Sequence, residues 1–243
     1  MIPEDHPRFQ SLVVRERMAE ALRRGVIVPE GLAAHGRGEA FDYLLGERTI
    51  ESARHAARVA AALIRTAEHP VISVNGNTAA LAPDEIARLQ QVSGATVEVN
   101  LFHRSAARME TISAHLRDHG VSVLTGTPGR LLPLAHDRAL CLPEGIGSAD
   151  VVLVPLEDGD RCRALRDAGK TVITIDLNPL SRTARTAHLT IVDELTRALP
   201  GITAACRHLT PPECATLIAS LDNTLLLRSA LQAMQETLSH ALD

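Results

Sequence analysis

The residues that offer the most chemistry form the run DLNPLSRTAR at positions 176–185. The run follows an apolar, β-branched segment and precedes a segment with helical character. Its Asn, Ser, Thr and Arg side chains suit phosphate groups, which bind readily at the N-terminus of a helix. A capped helix with arginines on its surface is the alternative interpretation.

A second candidate for anion binding is Arg37, which lies between Gly36 and Gly38 and follows His35 by two positions. The Gly-Arg-Gly sequence predicts a loop, because glycine lets a backbone approach a ligand closely. A guanidinium in such a loop can bind a carboxylate or a phosphate through paired hydrogen bonds. A tight loop with an exposed arginine is the alternative.

Polar side chains also follow two other apolar segments. Asn75 and Asn77 lie at the end of the first, and His103 and Arg104 lie after the second. We expect them to contact a ligand, although an ordinary turn and the polar start of a helix are the alternatives. Because the ordinary pKa of histidine lies near neutrality, His35 and His103 are the candidates for moving a proton.

Three acids, Glu157, Asp158 and Asp160, follow a further apolar segment. Carboxylate oxygens are the ligands that Mg²⁺ prefers. A solvated acidic loop is the alternative, so Asp158 and Asp160 are candidates for Mg²⁺ while the metal ligands as a set stay unassigned.

Two sequences look like nucleotide-binding motifs and fail on inspection. Gly169-Lys170-Thr171 precedes a predicted strand instead of following one, and the first glycine of a P-loop would fall at Ala164. The sequence that begins at Gly36 has phenylalanine at the last glycine position of a dinucleotide fingerprint.

Alternating strands and helices from about residue 49 onward must position these groups. The alternation is typical of an α/β fold with a mainly parallel sheet flanked by helices. Ligands of such sheets bind beyond the carboxyl ends of the strands. The predicted strands are 71–75, 96–102, 121–124, 151–155, 171–176 and 189–193.

The whole chain, 1–243, is predicted as one α/β domain. It has a helical N-terminal segment 1–48, an α/β core 49–198 and C-terminal helices 199–243. Residues 26–38 are predicted as a turn-rich connector and 125–148 as an irregular excursion. Thr49 and Asn223 are predicted helix caps. The predicted helices are 11–24, one from residue 49 to about 67, 83–92, 104–118, 161–169, one from residue 194, 211–220 and 223–242.

Composition excludes several classes of protein. The formal net charge is −4 and aromatic residues make up 2% of the chain, which argues against a nucleic-acid partner. Neither an export signal in the first ten residues nor an apolar run long enough for a membrane is found. The four cysteines form no C-x-x-C pair and read as free thiols, so we expect a cytoplasmic protein.

Five long motifs resemble, in order, the archaeal-type phosphopantothenate synthetase family, also called 4-phosphopantoate–β-alanine ligase. Because they are collinear over nearly the whole chain, the resemblance is specific. They are AHGRGEAFDYLLGERTIESA (34–53), HPVISVNGNTAAL (69–81), EVNLFHR (98–104), ADVVLVPLEDGDR (149–161) and IDLNPLSRTAR (175–185), the last followed by TIVD (190–193).

The resemblance implies a Rossmann-like ligase of coenzyme A biosynthesis that forms a homodimer. Such an enzyme condenses 4-phosphopantoate with β-alanine while ATP, with Mg²⁺, becomes AMP and pyrophosphate, and an acyl-adenylate is the expected intermediate. Another adenylating or kinase-like enzyme is one alternative, and a nucleotide-binding regulator without catalysis is the other.

Within this reaction, position and chemistry make Asn75, Asn77 and Arg104 the candidates for the pantoate side, and His35 and His103 the candidates for catalysis. Helix 11–24 and helix 224–242 carry the apolar stripes that are candidates for the dimer contact. On the pattern of the family that the chain resembles, ATP contacts map to Arg15, Arg37, Asp176, Leu177, Asn178, Arg182, Thr183, Glu194 and Leu195.

Overall fold

The computed structural model describes residues 3, 5 and 8–241. Parts of the first ten residues and of the predicted last helix lie outside this range. The strands within it are β1 (Pro70–Val74), β2 (Thr96–Val99), β3 (Gly129–Arg130), β4 (Leu140–Cys141), β5 (Val151–Leu153), β6 (Thr171–Ile175) and β7 (Leu189–Ile191).

Helices precede, separate and follow these strands, as predicted. None of them, among the residues described, combines the length and the apolar character that crossing a bilayer requires. The helices are α1 (Phe9–Arg23), α2 (Pro29–Leu44), α3 (Glu51–Thr66), α4 (Gly76–Leu81), α5 (Pro83–Ser93), α6 (Ala106–Asp118), α7 (Gly159–Asp167), α8 (Arg182–Thr186), α9 (Leu195–His208), α10 (Pro211–Ala219) and α11 (Asn223–Ser239).

The main sheet has five strands in the order β2-β1-β5-β6-β7, and every neighbouring pair is parallel. This confirms the predicted α/β class. The strand order reverses between β1 and β5, which makes that junction the topological switch point where ligands of open α/β sheets bind.

The strands are buried on both faces, which explains their continuous apolar sequences. Val71, Val152 and Val172 pack in one cluster with α7, while Ile72 and Ile173 belong to the other cluster. Alternate residues of a strand point to opposite faces, so β1, β5 and β6 each supply both clusters.

The alanine-rich helix α3 packs closely against α9 and β7. Ala60 and Ala61 are fully buried, and a β-carbon at Gly201 of α9 would lie 3.5 Å from the β-carbon of Ala57. Small residues on both helices therefore line the contact between α3 and α9.

The prediction of a connector at 26–38 is wrong, because most of this segment belongs to α2. Pro29 at the first turn and Glu30 beside it are typical of a helix start. Gly36, Arg37 and Gly38 therefore lie on a helix instead of in a loop. A β-carbon at Gly38 would make an ordinary contact with Leu177 at 3.5 Å, and one at Gly36 would meet nothing within 4 Å, so neither glycine is required for close approach.

The predicted strand 121–124 is also wrong. Only Val123 makes a bridge, to Val97 of β2, and β2 itself ends at Val99. The chain leaves the sheet at Asn100, whose side-chain amide donates to the carbonyl of Leu140 at 3.0 Å.

The segment predicted as an irregular excursion contains a short antiparallel pair, β3 and β4, and a turn at Pro143–Gly147. The buried carboxylate of Glu98 accepts from the backbone amides of Leu142 and Ile146, at 3.0 and 2.8 Å. A strand residue thus holds this turn against the sheet.

Two predicted helix caps have other roles. Thr49 makes no cap of α3, and its hydroxyl donates to Asp193 Oδ2 at 2.7 Å. Asp222 caps α11 in place of Asn223, whose side chain accepts from the amide of Thr190 and donates to the carbonyl of Ala184.

Candidate functional site

A cavity of about 920 Å³ lies beyond the carboxyl ends of the main sheet's strands. This volume suits a small-molecule site. One side, called here the strand-end wall, consists of the loops after β5, β6 and β7; the other, called the α2 wall, consists of residues 34–42. The sequence-predicted residues that line the cavity are His35, Arg37, Asn77, Asp176, Leu177, Asn178, Arg182, Thr183, Glu194 and Leu195.

The loop after β6 is shaped by hydrogen bonds within itself. Asp176 Oδ1 accepts from the amide of Asn178 at 2.9 Å, and the hydroxyl of Ser181 donates to the other oxygen of Asp176. Ser181 Oγ also accepts from the amide of Ala184, so it caps α8. Burial raises the pKa of Asp176, although these hydrogen bonds and nearby Arg37 act in the opposite direction.

Arg182 projects from the start of α8 and is mostly exposed, with an ion pair to Asp160 on α7. The two helices approach closely because Gly159 has no side chain: a β-carbon there would lie 2.6 Å from that of Arg182. The hydroxyl of Thr183 donates to the carbonyl of Glu157 at 2.8 Å. These contacts fix the loop after β5 against the loop after β6.

Arg138 and Arg161 hold the loop after β5 through its buried carboxylate, Glu157. Glu157 is buried and accepts from Arg138 Nη1 at 2.7 Å and from Arg161. Burial raises the pKa of Glu157, but the two guanidiniums outweigh it, so the pKa is lowered and the carboxylate is ionised. Arg161 is fully buried and also donates to Ser73 Oγ of β1 at 3.0 Å.

His35 supplies the α2 wall with an imidazole. Its Nε2 atom is buried and has no hydrogen-bond partner among the described residues. Burial lowers the pKa of His35, which Glu39 opposes and Arg15 reinforces. A neutral imidazole facing a cavity can accept a proton.

Arg15 lies outside the cavity lining but touches the α2 wall. Its Nε donates to Glu39 Oε1 at 2.9 Å, and Nη2 donates to the hydroxyl of Tyr43 at 3.2 Å. Glu39 itself lines the cavity. Arg15 is therefore near enough to the site to stay a candidate for nucleotide binding.

Asn75 is buried at the switch point and is used by the fold. Its side-chain oxygen caps α4 by accepting from the amide of Thr78, and its amide donates to the carbonyls of Pro155 and Leu156 at 3.0 and 3.1 Å. These bonds join β1 to the loop after β5. Asn77 does line the cavity, and its amide donates to the carbonyl of Gly31 on α2 at 2.8 Å.

His103 and Arg104 are not part of the cavity lining. They follow β2, where Phe102 stacks on His136 with ring centroids 4.5 Å apart. The amide of Arg104 donates to Asp137 Oδ2 at 3.3 Å. Arg104 is thus bonded to the excursion, whereas His103 is exposed, and their predicted roles stay predictions.

The predicted Mg²⁺ candidates lie behind the strand-end wall. Asp158 caps α7 by accepting from the backbone amide of Arg161 at 2.8 Å, and its buried Oδ2 forms an ion pair with Arg138 Nε at 3.4 Å. Within the described part of the chain, no group of three or more His, Cys, Asp or Glu side chains is arranged to hold a metal ion. Mg²⁺ at Asp158 and Asp160 stays a prediction.

An ionic network that sequence reasoning missed closes the cavity at the β7 side. Arg197 of α9 donates to both oxygens of Asp42 on α2, at 2.5 and 3.1 Å, and its Nε donates to Asp193 Oδ1 at 2.9 Å. Burial lowers the pKa of Arg197, but the two carboxylates outweigh it and raise the pKa. Asp193 and Arg197 are one helical turn apart, a spacing that favours an ion pair.

Comparison with known proteins finds relatives over the whole chain. A sequence profile described as phosphopantothenate/pantothenate synthetase matches residues 52–237. Three proteins named 4-phosphopantoate–β-alanine ligase are similar: one from Methanospirillum hungatei is 56% identical over all of both chains. One from Methanosarcina mazei is 51% identical over 98% of this chain and 95% of its own. One from Thermococcus kodakarensis is 47% identical over 98% and 94%.

Proposed function

Because the chain belongs to the phosphopantothenate/pantothenate synthetase family, we propose that it is a 4-phosphopantoate–β-alanine ligase of coenzyme A biosynthesis that uses ATP. The observation that carries the proposal is full-length similarity to ligases of this name, together with one cavity lined by most of the residues expected to bind nucleotide.

The proposed reaction proceeds in two steps, adenylation of the acid and formation of the amide. The carboxylate of 4-phosphopantoate attacks the α-phosphorus of ATP, which forms an acyl-adenylate and releases pyrophosphate. The amine of β-alanine then attacks the acyl carbon, so that an amide forms, AMP leaves and one proton is released from the amine. Both steps depend on cations beside phosphate and on close placement of the reacting atoms.

The arginines of the two walls supply the cationic groups. Arg182 is exposed at the strand-end wall and Arg37 lies on the α2 wall. A triphosphate between them would exchange the Arg182–Asp160 ion pair for a charge-assisted bond to phosphate.

Asp158 and Asp160 are the proposed Mg²⁺ ligands, because carboxylate oxygens are the donors that Mg²⁺ prefers. Each already has a cationic partner, since Asp158 Oδ2 lies 3.4 Å from Arg138 Nε and Asp160 pairs with Arg182, so the ion would replace these contacts. Bound there with ATP, Mg²⁺ would offset the negative charge of the phosphates.

His35 accepts the proton of the β-alanine amine in this proposal. Its Nε2 atom is free of protein hydrogen bonds within the described residues, and burial favours the neutral ring. His103 remains the alternative, although it lies outside the cavity lining.

The test is a product assay with ATP, Mg²⁺, 4-phosphopantoate and β-alanine, each omitted in turn. The proposal expects AMP and pyrophosphate only from the complete mixture. ADP would instead support a kinase-like enzyme, and ATP binding without turnover would support a regulator. Equal activity on unphosphorylated pantoate would overturn the proposed substrate.

We also propose that the protein is one ligase domain that forms a homodimer in the cytoplasm. On α11, Leu227 and Met234 are buried within the chain, whereas Leu225 and Leu238 stay exposed. The apolar surface on α1 or on α11 is the proposed contact. Light scattering that gives the mass of one chain at micromolar concentration would contradict the dimer.

A further inference from the structure

Helix α2 carries His35 and Arg37, yet its own sequence gives it little stability. It contains Gly31, Gly36 and Gly38 and has no side-chain hydrogen bond at its N-terminus. Each glycine in a helix costs about 1 kcal/mol relative to alanine. The position of α2 must therefore depend on contacts with other elements.

Among the polar contacts of α2, one near each end anchors it to an element that lines the cavity. Near the start, the amide of Asn77 donates to the carbonyl of Gly31 at 2.8 Å. Near the end, Asp42 accepts both hydrogen bonds of the Arg197 guanidinium. His35 and Arg37 lie between the two anchors. Asp42 follows His35 by two helical turns, so both residues lie on the same side of α2.

The second anchor is also tied to the strand-end wall. Arg197 donates to Asp193 at the carboxyl end of β7, and Asp193 accepts in addition from the amide of Glu194 and the hydroxyl of Thr49. The side chain of Asp193 is 1% exposed. One guanidinium thus joins α2 to the loop that carries Glu194 and Leu195.

Only arginine can make this connection. Its planar fork pairs with both oxygens of Asp42 while Nε remains available for Asp193, whereas lysine offers a single point charge. The other ion pair of α2, Glu39 with Arg15, is more exposed, and exposed pairs contribute less.

We propose that Arg197 and Asp42 are positioning residues of the nucleotide site, which hold α2 at the distance from the β7 loop that ATP binding requires. This inference rests on the proposed function. Loss of the pair would let α2 move away, so that ATP meets Arg37 and Glu194 in the wrong relative geometry. A displacement of about 1 Å can cost a hundredfold in rate.

The experiment compares Asp42→Asn, Arg197→Met, Arg197→Lys and the double variant Asp42→Asn/Arg197→Met. We expect the KM for ATP to rise about tenfold to a hundredfold in the Met variant, the size expected when one charge-assisted contact to phosphate is lost. The value of kcat should fall as well, because α2 also carries His35, so equilibrium ATP binding, which needs no proton transfer, is the readout that isolates the nucleotide site. The Lys variant should fall between wild type and Met, because lysine keeps the charge but lacks the fork.

The double variant should be no worse than Arg197→Met, because both substitutions break one interaction. Arg117→Met is the matched control, since Arg117 pairs with Glu110 on α6 outside the cavity lining. It should leave every kinetic constant unchanged.

The wild-type product assay separates the two hypotheses. If wild type forms no AMP, the proposed function fails, and equilibrium ATP binding by the same variants still tests the positioning role. If wild type forms AMP and folded Asp42→Asn and Arg197→Met keep the wild-type KM for ATP, the inference is overturned. Unfolding of Asp42→Asn and Arg197→Met alike would overturn it as well, because the pair would then stabilise the whole fold.

Discussion

The loop after β6 and the α2 wall, on opposite sides of the cavity, are held in place by different kinds of contact. The loop after β6 is fixed by neighbours in sequence, since Asp176, Asn178 and Ser181 bond to residues two to five positions away. The α2 wall is fixed by residues far away in sequence, since Asp42 and Arg197 are 155 positions apart. Local hydrogen bonds keep the shape of the loop after β6 independent of the rest of the cavity. The position of the α2 wall depends on a distant ion pair, so one substitution can displace it.

The largest effect is expected at the α2 wall, from His35→Gln. If His35 takes the amine proton, its loss should lower kcat by about 10²–10⁴. Burial lowers the pKa of His35, so its ring stays neutral below the pH at which an ordinary histidine becomes protonated. Wild-type activity should therefore persist below that pH. A pH–rate profile measures this: the acidic limb should lie below about 6.5 in wild type and vanish in the variant.

His103→Gln is the comparison for that variant. A larger loss of kcat in His103→Gln than in His35→Gln would transfer the role of base to the residue after β2.

The second effect tests the strand-end wall, through Glu157→Gln. The substitution leaves Arg138 and Arg161 buried without their carboxylate, which should lower the free energy of unfolding by about 3–5 kcal/mol. Chemical denaturation measures the change. Because the pKa of Glu157 is lowered in the fold, wild type should lose this stabilisation as the pH falls below the ordinary glutamate value.

Glu110→Gln removes one partner of an exposed ion pair on α6 and serves as the control. Equal stability losses in the two variants would show that the buried pair contributes no more than a surface pair.

The same contrast explains what the sequence could predict. Buried strands were found because their apolar, β-branched residues are local signals, and the run 176–185 was found because its polar groups are adjacent. Helix α2 was missed because its glycines disfavour a helix, and the residues that hold it, Asn77 and Arg197, are remote in sequence. Asp42 lay inside a recognised motif, but nothing local indicated its partner.

The errors at element ends have a similar cause. Thr49 is a good helix-capping residue, and only the position of Asp193 in the folded chain gives its hydroxyl another acceptor. Val123 has strand character, but a single bridge to β2 at the edge of the sheet does not make a strand. Tertiary contacts decided both cases.

A third, smaller effect is expected from Arg182→Ala at the strand-end wall. Loss of a charge-assisted contact to phosphate removes about 1.5–3 kcal/mol, so the KM for ATP should rise about tenfold to a hundredfold. The melting temperature should hardly change, because Arg182 is 74% exposed. Arg185→Ala is the control, an exposed arginine of the same helix outside the cavity lining. A folded Arg182→Ala variant with wild-type ATP kinetics would contradict the assignment.

The smallest effect is expected from Asp160→Asn, and its sign is informative. Without a divalent cation, Asp160 competes with phosphate for Arg182, so the Asn variant should bind ATP more tightly. The gain in affinity should be less than about fivefold, because an exposed ion pair contributes at most about 1 kcal/mol. With Mg²⁺, a carboxylate that helps to hold the ion is missing, so half-maximal activity should need more Mg²⁺. Binding titrations in EDTA and activity titrations in Mg²⁺ measure the two effects separately. Weaker ATP binding in EDTA would mean that Asp160 orients Arg182 toward the cavity instead of competing for it, and the strand-end wall would then depend on a side-chain pair as the α2 wall does.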